Sequence, residues 1–422
     1  MIKHVLKIIW NQRRSNSWIF AELLVVVAVL WVMLDSLLVN MYTYYSPLGF
    51  DIEHVYKVNI GKMGPATPGY VADSLKTSSD GEDLVRLVEN LRQAPEVEET
   101  CIASVSCPYT WSNSWSSLIQ AEADTSMKAD AYQRFVVTPS YFDVLRMKSE
   151  DGQDLRQAVE QNEGDMVISA DMEKRFFAGQ PGKGRQVKWS STNENSMTIA
   201  AVSTSVRQNE YDKSEPCFYL LLRSEQDMVD ISNDMMAQNM DCLVRMKEGF
   251  HAENLETFLQ KMSDRLTVNN IYVSSVTPLD EMRSVILKSR QDNMKKKLAL
   301  VGFMLANVFF GIIGTFWVRT QYRRSEMGLR IAVGSSRNRL KRFMDMEGLS
   351  LLILTLPLII VFIVNVLYFD LPDTVRLPYT WWRCVIALGG AFLLLGIMIV
   401  VGIWFPARRV AKMNPAEALH YE

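Results

Sequence analysis

Four stretches of the chain, residues 18–39, 298–318, 349–369 and 384–405, are almost wholly apolar. At 1.5 Å rise per residue, roughly 21 residues cover about 32 Å, the thickness of a hydrocarbon core. The pattern therefore predicts four transmembrane helices. Between the first two, over 40–297, short patches alternate instead. Tyr56, Val58 and Ile60 share one face, as in a strand, while Leu84, Leu87, Val88 and Leu91 recur at helical spacing and stop before Pro95. Further strands are expected at 101–106, 134–138, 166–169, 218–222, 242–246 and 271–275, and helices at 170–177, 225–238 and 252–266. Glycine and proline mark turns at 61–69 and 179–184. The predicted fold class is a membrane protein with four transmembrane α-helices and a large α+β extracytoplasmic domain inserted between helices 1 and 2.

Charge sets the orientation and completes the map. Near-neutral net charge (−2) and 48% hydrophobic residues conceal an uneven distribution. Residues 1–17, with Ile2, Val5, Leu6, Ile9 and Trp10 on one face, are expected to form an interfacial amphipathic helix or a mere extension of the first membrane helix, and carry Lys3, Lys7, Arg13 and Arg14 without an acidic residue. No small-residue cleavage site follows the first apolar run, since 40–44 is bulky, so the run is expected to stay as an anchor. Loop 319–348 carries eight Lys/Arg against three Asp/Glu; loop 370–383 has only Arg376 and Arg383; the tail 406–422 has Arg408, Arg409 and Lys412. Both termini and the basic loop are therefore placed in the cytoplasm. Lys295 to Lys297 end a segment long enough to translocate regardless of charge. Residues 281–297 are polar, lack Gly and Pro, and run into the second span, which predicts one continuous stalk helix projecting about 25 Å beyond the membrane.

Few residues point to chemistry. His4, His54, His251 and His420 are scattered without ligand spacing, and neither a metal site nor a nucleophile and base pair is legible. Cys101, Cys107, Cys217 and Cys242 lie in a compartment that permits disulfides, but a domain of this size does not need them, and buried free thiols are the expectation. Glu22 and Asp35 fall within the first span, close enough to its ends to snorkel or meet water, and are read as structural. Asn307, Gly311 and Thr315 recur every four residues on the second span and are assigned to helix packing, within the subunit or across a dimer. Tyr379, Trp381, Trp382 and Trp404 are interfacial anchors. In the basic loop a short helix could expose Met327 and Leu329 beside Glu326 and Arg330 to a partner's groove; a solvated positive loop is the plainer alternative. Nothing calls for nucleic acid.

Longer words narrow the choice. R-R-S-E-M-G-L-R-I-A-V-G-S-S, 323–336, resembles the E-[IM]-G-[LI]-R-x-A-x-G-A signature after the second helix of FtsX-like permeases, the MacB and LolC/LolE group of ABC transporters. The tail 405–422, F-P-A-R-R-V-A-K-M-N-P-A-E-A-L-H-Y-E, is similar to their P-A-x-x-A-x-x-x-[DN]-P-x-E-A-L-R-x-E ending, with His420 at a frequent Arg position and Ser335 at a usual Ala. V-T-P-S-Y-F-D-V-L, 137–145, and M-V-I-S-A-D-M-E-K-R-F-F-A-G-Q-P, 166–181, resemble consecutive segments of the MacB-type external domain.

The resemblance implies a type VII permease in a bacterial inner membrane, with ATPase-coupling positions Arg324, Glu326, Met327, Gly328, Leu329, Arg330 and Gly334. It implies a porter-like subdomain carrying an insert at about 131–240. Expected partners are cytoplasmic ABC ATPase subunits, a second permease copy or a paralogue and, in a Gram-negative envelope, a periplasmic adaptor and outer-membrane duct. No G-x-x-x-x-G-K-[ST] loop occurs in the sequence, so ATP and Mg are expected on the partner ATPase and no cofactor or enzymatic activity in this chain. The implied work is mechanotransmission for export of a peptide, drug or lipoprotein-like cargo. Regulation of a cell-wall hydrolase is the alternative within the family, and a stand-alone membrane sensor is the rival outside it.

Overall fold

The computed structural model of the chain describes residues 9, 11, 13–110, 114–121, 130–190, 195–322, 329, 333 and 335–411. It divides into two units, one of Met1–Tyr45 with Arg290–Glu422 and one of Ser46–Ser289. The expected segment 1–17 lies mostly outside the described residues, as do the centre of the basic loop and the end of the tail.

The first unit is helical. The described residues of the chain include four helical spans long and apolar enough to cross a membrane, Asn16–Tyr45, Leu279–Thr315, Asn338–Tyr368 and Trp381–Trp404, the second of which begins in the other unit. The helix Trp381–Ala411 packs against both Arg13–Tyr45 and Arg337–Leu354. Their shared core is built from Leu23, Val27, Leu30, Trp31, Leu351, Ile359, Ala391, Leu395 and Ile403. The third span is two helices, because Pro357 has no amide to donate and sits in the first turn of Leu356–Tyr368; Arg337–Leu354 ends one residue before the junction, at Thr355. At the junction the Leu352 carbonyl accepts from the Thr355 amide at 3.1 Å and from the Thr355 hydroxyl at 2.7 Å. The first helix continues past position 39 to Tyr45, two residues short of Pro47. The helix Leu279–Tyr322 runs unbroken for 44 residues.

The second unit is α+β. Its strands are β1 (Val55–Lys62), β2 (Val97–Ser104), β3 (Trp115–Gln120), β4 (Asp130–Val137), β5 (Met166–Ser169), β6 (Gln186–Lys188), β7 (Met197–Ser203), β8 (Cys217–Leu221), β9 (Asp241–Met246), β10 (Thr267–Val268) and β11 (Ile271–Pro278). They pair in the order β10-β11-β1-β9-β2-β4-β3-β6-β7-β5-β8, and β8 returns to β4. The last pairing closes six strands into a ring, while β10, β11, β1, β9 and β2 remain an open antiparallel sheet. β4 serves both parts: Asp130–Gln133 pair with β3, and Val136 and Val137 pair with Ser104 and Ala103 of β2. Every strand of the ring contributes to one core, through Leu118, Tyr132, Ile168, Val187, Ile199 and Phe218. The ring therefore encloses side chains and leaves those six strands without an open edge.

The open sheet is covered on both faces. Val58, Ile60, Val244 and Met246 meet Leu84, Leu87 and Leu91 of the helix Asp80–Arg92 together with Phe258 and Met262. The opposite face sets Cys101, Ala103 and Leu243 against Val137, Phe142, Leu145 and Val159. This explains why β9 is buried at every position and reads as a run without alternation. Ala103 pairs with Asp241 and Cys101 with Leu243, so Cys101 and its neighbour Cys242 face opposite sides. All five cysteines are free thiols, and burial pushes Cys217 and Cys242 up to about 12, where a thiolate is scarce at neutral pH.

The expected insert of 131–240 falls differently. The ring begins with β3 at Trp115, and the helix Glu225–Asp234 packs on Asp80–Arg92, beside the open sheet. Both helices carry capping boxes: Ser79 Oγ accepts from Glu82 N at 3.2 Å while the Glu82 carboxylate accepts from Ser79 N at 2.7 Å, and Ser224 and Asp227 repeat the exchange. They touch at Gly81, whose amide donates to Asn233 Oδ1 at 2.8 Å and where an added Cβ would lie 2.4 Å from the Val229 carbonyl oxygen. Gly81→Val should therefore force these helices apart and lower stability by about 1–3 kcal/mol, the usual range for overpacking. Denaturant unfolding of the variant beside Gly64→Ala, a site with nothing within 4 Å, checks the expectation.

Candidate functional site

Most of the predicted coupling segment cannot be placed. Arg324, Glu326, Met327, Gly328, Arg330 and Gly334 lie outside the described residues. Leu329 is described as helical and exposed, and its carbonyl accepts from Val333 N at 3.0 Å. Of the packing positions, Asn307 is exposed and donates to the Phe303 carbonyl of its own helix at 2.8 Å. The Thr315 hydroxyl bonds the Gly311 carbonyl at 2.7 Å. Gly311 meets another helix, for an added Cβ there would stand 2.6 Å from Glu22 Oε1. The stripe thus separates into an outward position, Asn307, beside exposed Phe303 and Phe310, and an inward one, Gly311, that makes room for a carboxylate.

A polar cluster in the helical unit was not legible as a whole. Asp35 and Arg383 form a bidentate pair, Nε to Oδ1 and Nη2 to Oδ2 both at 2.7 Å, with 7% and 2% of the side chains exposed. Arg383 Nη1 donates to the carbonyls of Asp373 and Leu377 at 2.8 and 2.6 Å, and its guanidinium lies over the Tyr379 ring at 5.0 Å. Arg376 donates from Nη1 to Asn40 Oδ1 at 2.9 Å and from Nε to Asp373 Oδ2 at 2.5 Å. Burial would raise the Asp373 carboxyl, but hydrogen bonds from the Arg376 amide and side chain hold it below the ordinary value. Asp35, read as structural, meets neither water nor the interface but an arginine first counted as a loop charge, which answers it from inside the helix Trp381–Ala411. Oppositely charged residues at matching ends of two spans were the available signal.

The second cluster lies in the α+β unit, where the chain enters after the first helix and leaves along the second of the long ones, Leu279–Tyr322. Arg207 is 5% exposed, and its guanidinium donates to the carbonyls of Pro47 (3.0 Å), Glu210 (3.2 Å), Asp212 (3.4 Å) and Ser46. Glu210, 3% exposed, accepts from Tyr109 Oη at 3.0 Å and from Arg283 Nε in the second turn of Leu279–Tyr322, whose first residue is fully buried. Burial, with the Glu210 carboxylate beside it, pushes the Tyr109 hydroxyl well above its usual value, so it stays a donor. Loop 205–212 therefore fastens both the entry and the exit of this unit.

The same region is braced from the sheet. The Asp241 carboxylate accepts from the Ser106 and Cys107 amides at 2.9 and 3.1 Å and from Lys57 Nζ at 2.8 Å. These bonds hold the chain just after Val105, a β-branched residue at φ 52°. Arg245, with no exposed surface, donates to the carbonyls of Val144, Glu53 and Asp51 at 2.6, 2.7 and 2.9 Å. The sequence reading named none of Arg207, Glu210, Asp241 or Arg245; each hides in a stretch whose pattern only says strand or loop. Among the described residues no three His, Cys, Asp or Glu gather as metal ligands.

The geometry defines a membrane protein with four apolar helical spans and a separately folded extracytoplasmic α+β unit inserted between the first two. Three solved structures are similar to part of the chain. A domain of a putative permease protein from Porphyromonas gingivalis is 16% identical at a TM-score of 0.34, over 53% of this chain and 90% of that one. The periplasmic region of MacB from Actinobacillus actinomycetemcomitans is 13% identical at 0.33, over 56% and 94%. The extracellular domain of the noncanonic ABC-type transporter YknZ from Gram-positive bacteria is 11% identical at 0.29, over 52% and 100%. No family model and no curated protein matches the chain.

Two outcomes follow from the clusters. Asp35→Ala or Arg383→Ala, by stranding one buried charge, should each cost about 3–5 kcal/mol, read as an earlier loss of detergent-solubilised protein on heating, while the double variant should cost less than the sum. Arg207→Met removes the donors to Ser46 and Pro47, so amide exchange at 46–50 should accelerate while the helix Asp80–Arg92 stays protected.

Proposed function

We propose that this chain is the permease subunit of an ABC transporter of the MacB/FtsX type, working as a dimer with cytoplasmic ATPase subunits that carry ATP and Mg. The observation that carries the reading is the unbroken helix Leu279–Tyr322, whose first turns are anchored in the α+β unit by Leu279 and Arg283 and whose last residue adjoins the basic segment with the E-M-G-L-R word. A helix without Gly or Pro before the apolar span transmits tilt with little loss, since bending it would break i to i−4 bonds.

In this reading the loop around Glu326 to Arg330 seats on the ATPase, with both termini in the cytoplasm of a bacterial inner membrane. Closure of the ATPase pair tilts the loop, and the long helices turn that tilt into opening and closing of two external domains. The cargo, a peptide, drug or lipoprotein-like molecule, is handled outside the membrane. An adaptor and outer-membrane duct complete the path in a Gram-negative envelope.

Co-purification of the full chain with an ATPase encoded beside it tests the assignment. Wild type should hold the ATPase through size exclusion, and Glu326→Lys or Gly328→Trp should lose it while inserting normally. An ATPase retained equally by both variants would remove the coupling role from this loop, and one retained by none of the three proteins would refute the permease reading.

A further inference from the structure

The α+β unit contains a cavity of about 160 Å³ that neither the coupling reading nor the packing of the fold uses. It lies where loop 205–212 covers the outward face of β4 and β8, beside the strained turn after β2. Alternation along β4 sends Tyr132 into the ring core and Gln133 and Phe135 the other way; on β8, Cys217 and Tyr219 face the same side as Gln133 and Phe135. The volume matches the roughly 150 Å³ that accommodates a benzene-sized molecule.

Its walls are aromatic. Phe135 and Tyr219 stack at 4.9 Å and 18°, and Phe50 meets Tyr109 edge to face at 6.1 Å. Between these rings and a polar loop projects Gln133, only 5% exposed, whose side-chain amide hydrogen-bonds to none of the described residues. A buried amide is nearly always answered by protein, water or ligand. The rim is acidic, with the carboxylates of Asp212 and Glu215, and no cation is paired with Glu215 among the described residues. The one guanidinium in the lining, Arg207, is committed to the carbonyls of Ser46, Pro47, Glu210 and Asp212, so it offers nothing to an anion.

We propose that this cavity is a binding site for a small single-ring aromatic cation, an amidine or amine, with its ring between the aromatic walls, an N–H donated to Gln133 Oε1 and its charge facing Glu215. Aromatic faces attract such a cation as well as its ring. An occupant touches Val206 and Arg207 and so bears on the loop that fastens both ends of the unit, which makes the site a place for an effector. The assignment does not depend on the permease reading.

The test uses the full chain in detergent with 4-fluorobenzamidine as probe, followed by fluorine NMR line broadening, and 4-fluorobenzoate as the anionic control. The expected result is saturable broadening of the amidine, absent for the benzoate. Affinity should fall tenfold or more in both Gln133→Leu, which keeps the volume, and Glu215→Gln, while the thermal unfolding midpoint stays near wild type. Val206→Trp, which fills the space from the loop side, should abolish binding. Equal broadening in all variants, or equal broadening by both probes, would mean partition into the micelle and would overturn the proposal; so would wild type showing no broadening at millimolar probe.

Discussion

A guanidinium removed from water must have its N–H groups answered, and three arginines impose that condition on this chain. Arg383, Arg245 and Arg207 are each at most 5% exposed. Removing such an ion from water costs several kcal/mol, offset only by close and complete partnering. Arg383 is answered by one carboxylate and two carbonyls, Arg245 by three carbonyls and the more distant Asp51, and Arg207 by four carbonyls. Because the fork is planar and rigid, each set fixes segments far apart in sequence to fractions of an ångström, which a lysine in the same place would not do.

These are also the places where irregular backbone must be held. Residues 46–53 enter the α+β unit without forming a helix or strand, and Arg207 and Arg245 take up their carbonyls. Residues 370–380, between the last two spans, follow the same logic through Arg376 and Arg383. A carbonyl buried without a donor costs about 1–3 kcal/mol, so each arginine both needs these loops and makes them tenable.

The strongly periodic parts of the fold were legible: four apolar runs, the helix over Leu84 to Leu91, the buried strand at 242–246 and the unbroken polar approach to the second span. Strands β3, β6 and β7 were not. W-S-S-L-I-Q and Q-V-K carry too few apolar positions to alternate, and M-T-I-A-A-V-S buries small residues that no propensity favours; the ring gives them partners that the local sequence does not display. Pro357 is visible in the sequence, yet the apolar run around it hides the division of the third span into two helices. The polar clusters were least legible, because a pair such as Asp35 and Arg383 is separated by 348 positions, and each partner alone reads as a surface charge. The E-M-G-L-R word was recognisable only through its likeness to other permeases; its spacing alone allows a solvated loop.

The sharing of β4 between the ring and the open sheet makes the two parts of the α+β unit incomplete without each other. Its later residues cover the margin of β2, whose other neighbour is β9. A shortened chain from which the ring had been excised would present β2 as an unpaired backbone ladder, ready to add a strand from any other chain in the compartment. The ring therefore also occupies, through Val136 and Val137, part of an edge that would otherwise stand open to another chain.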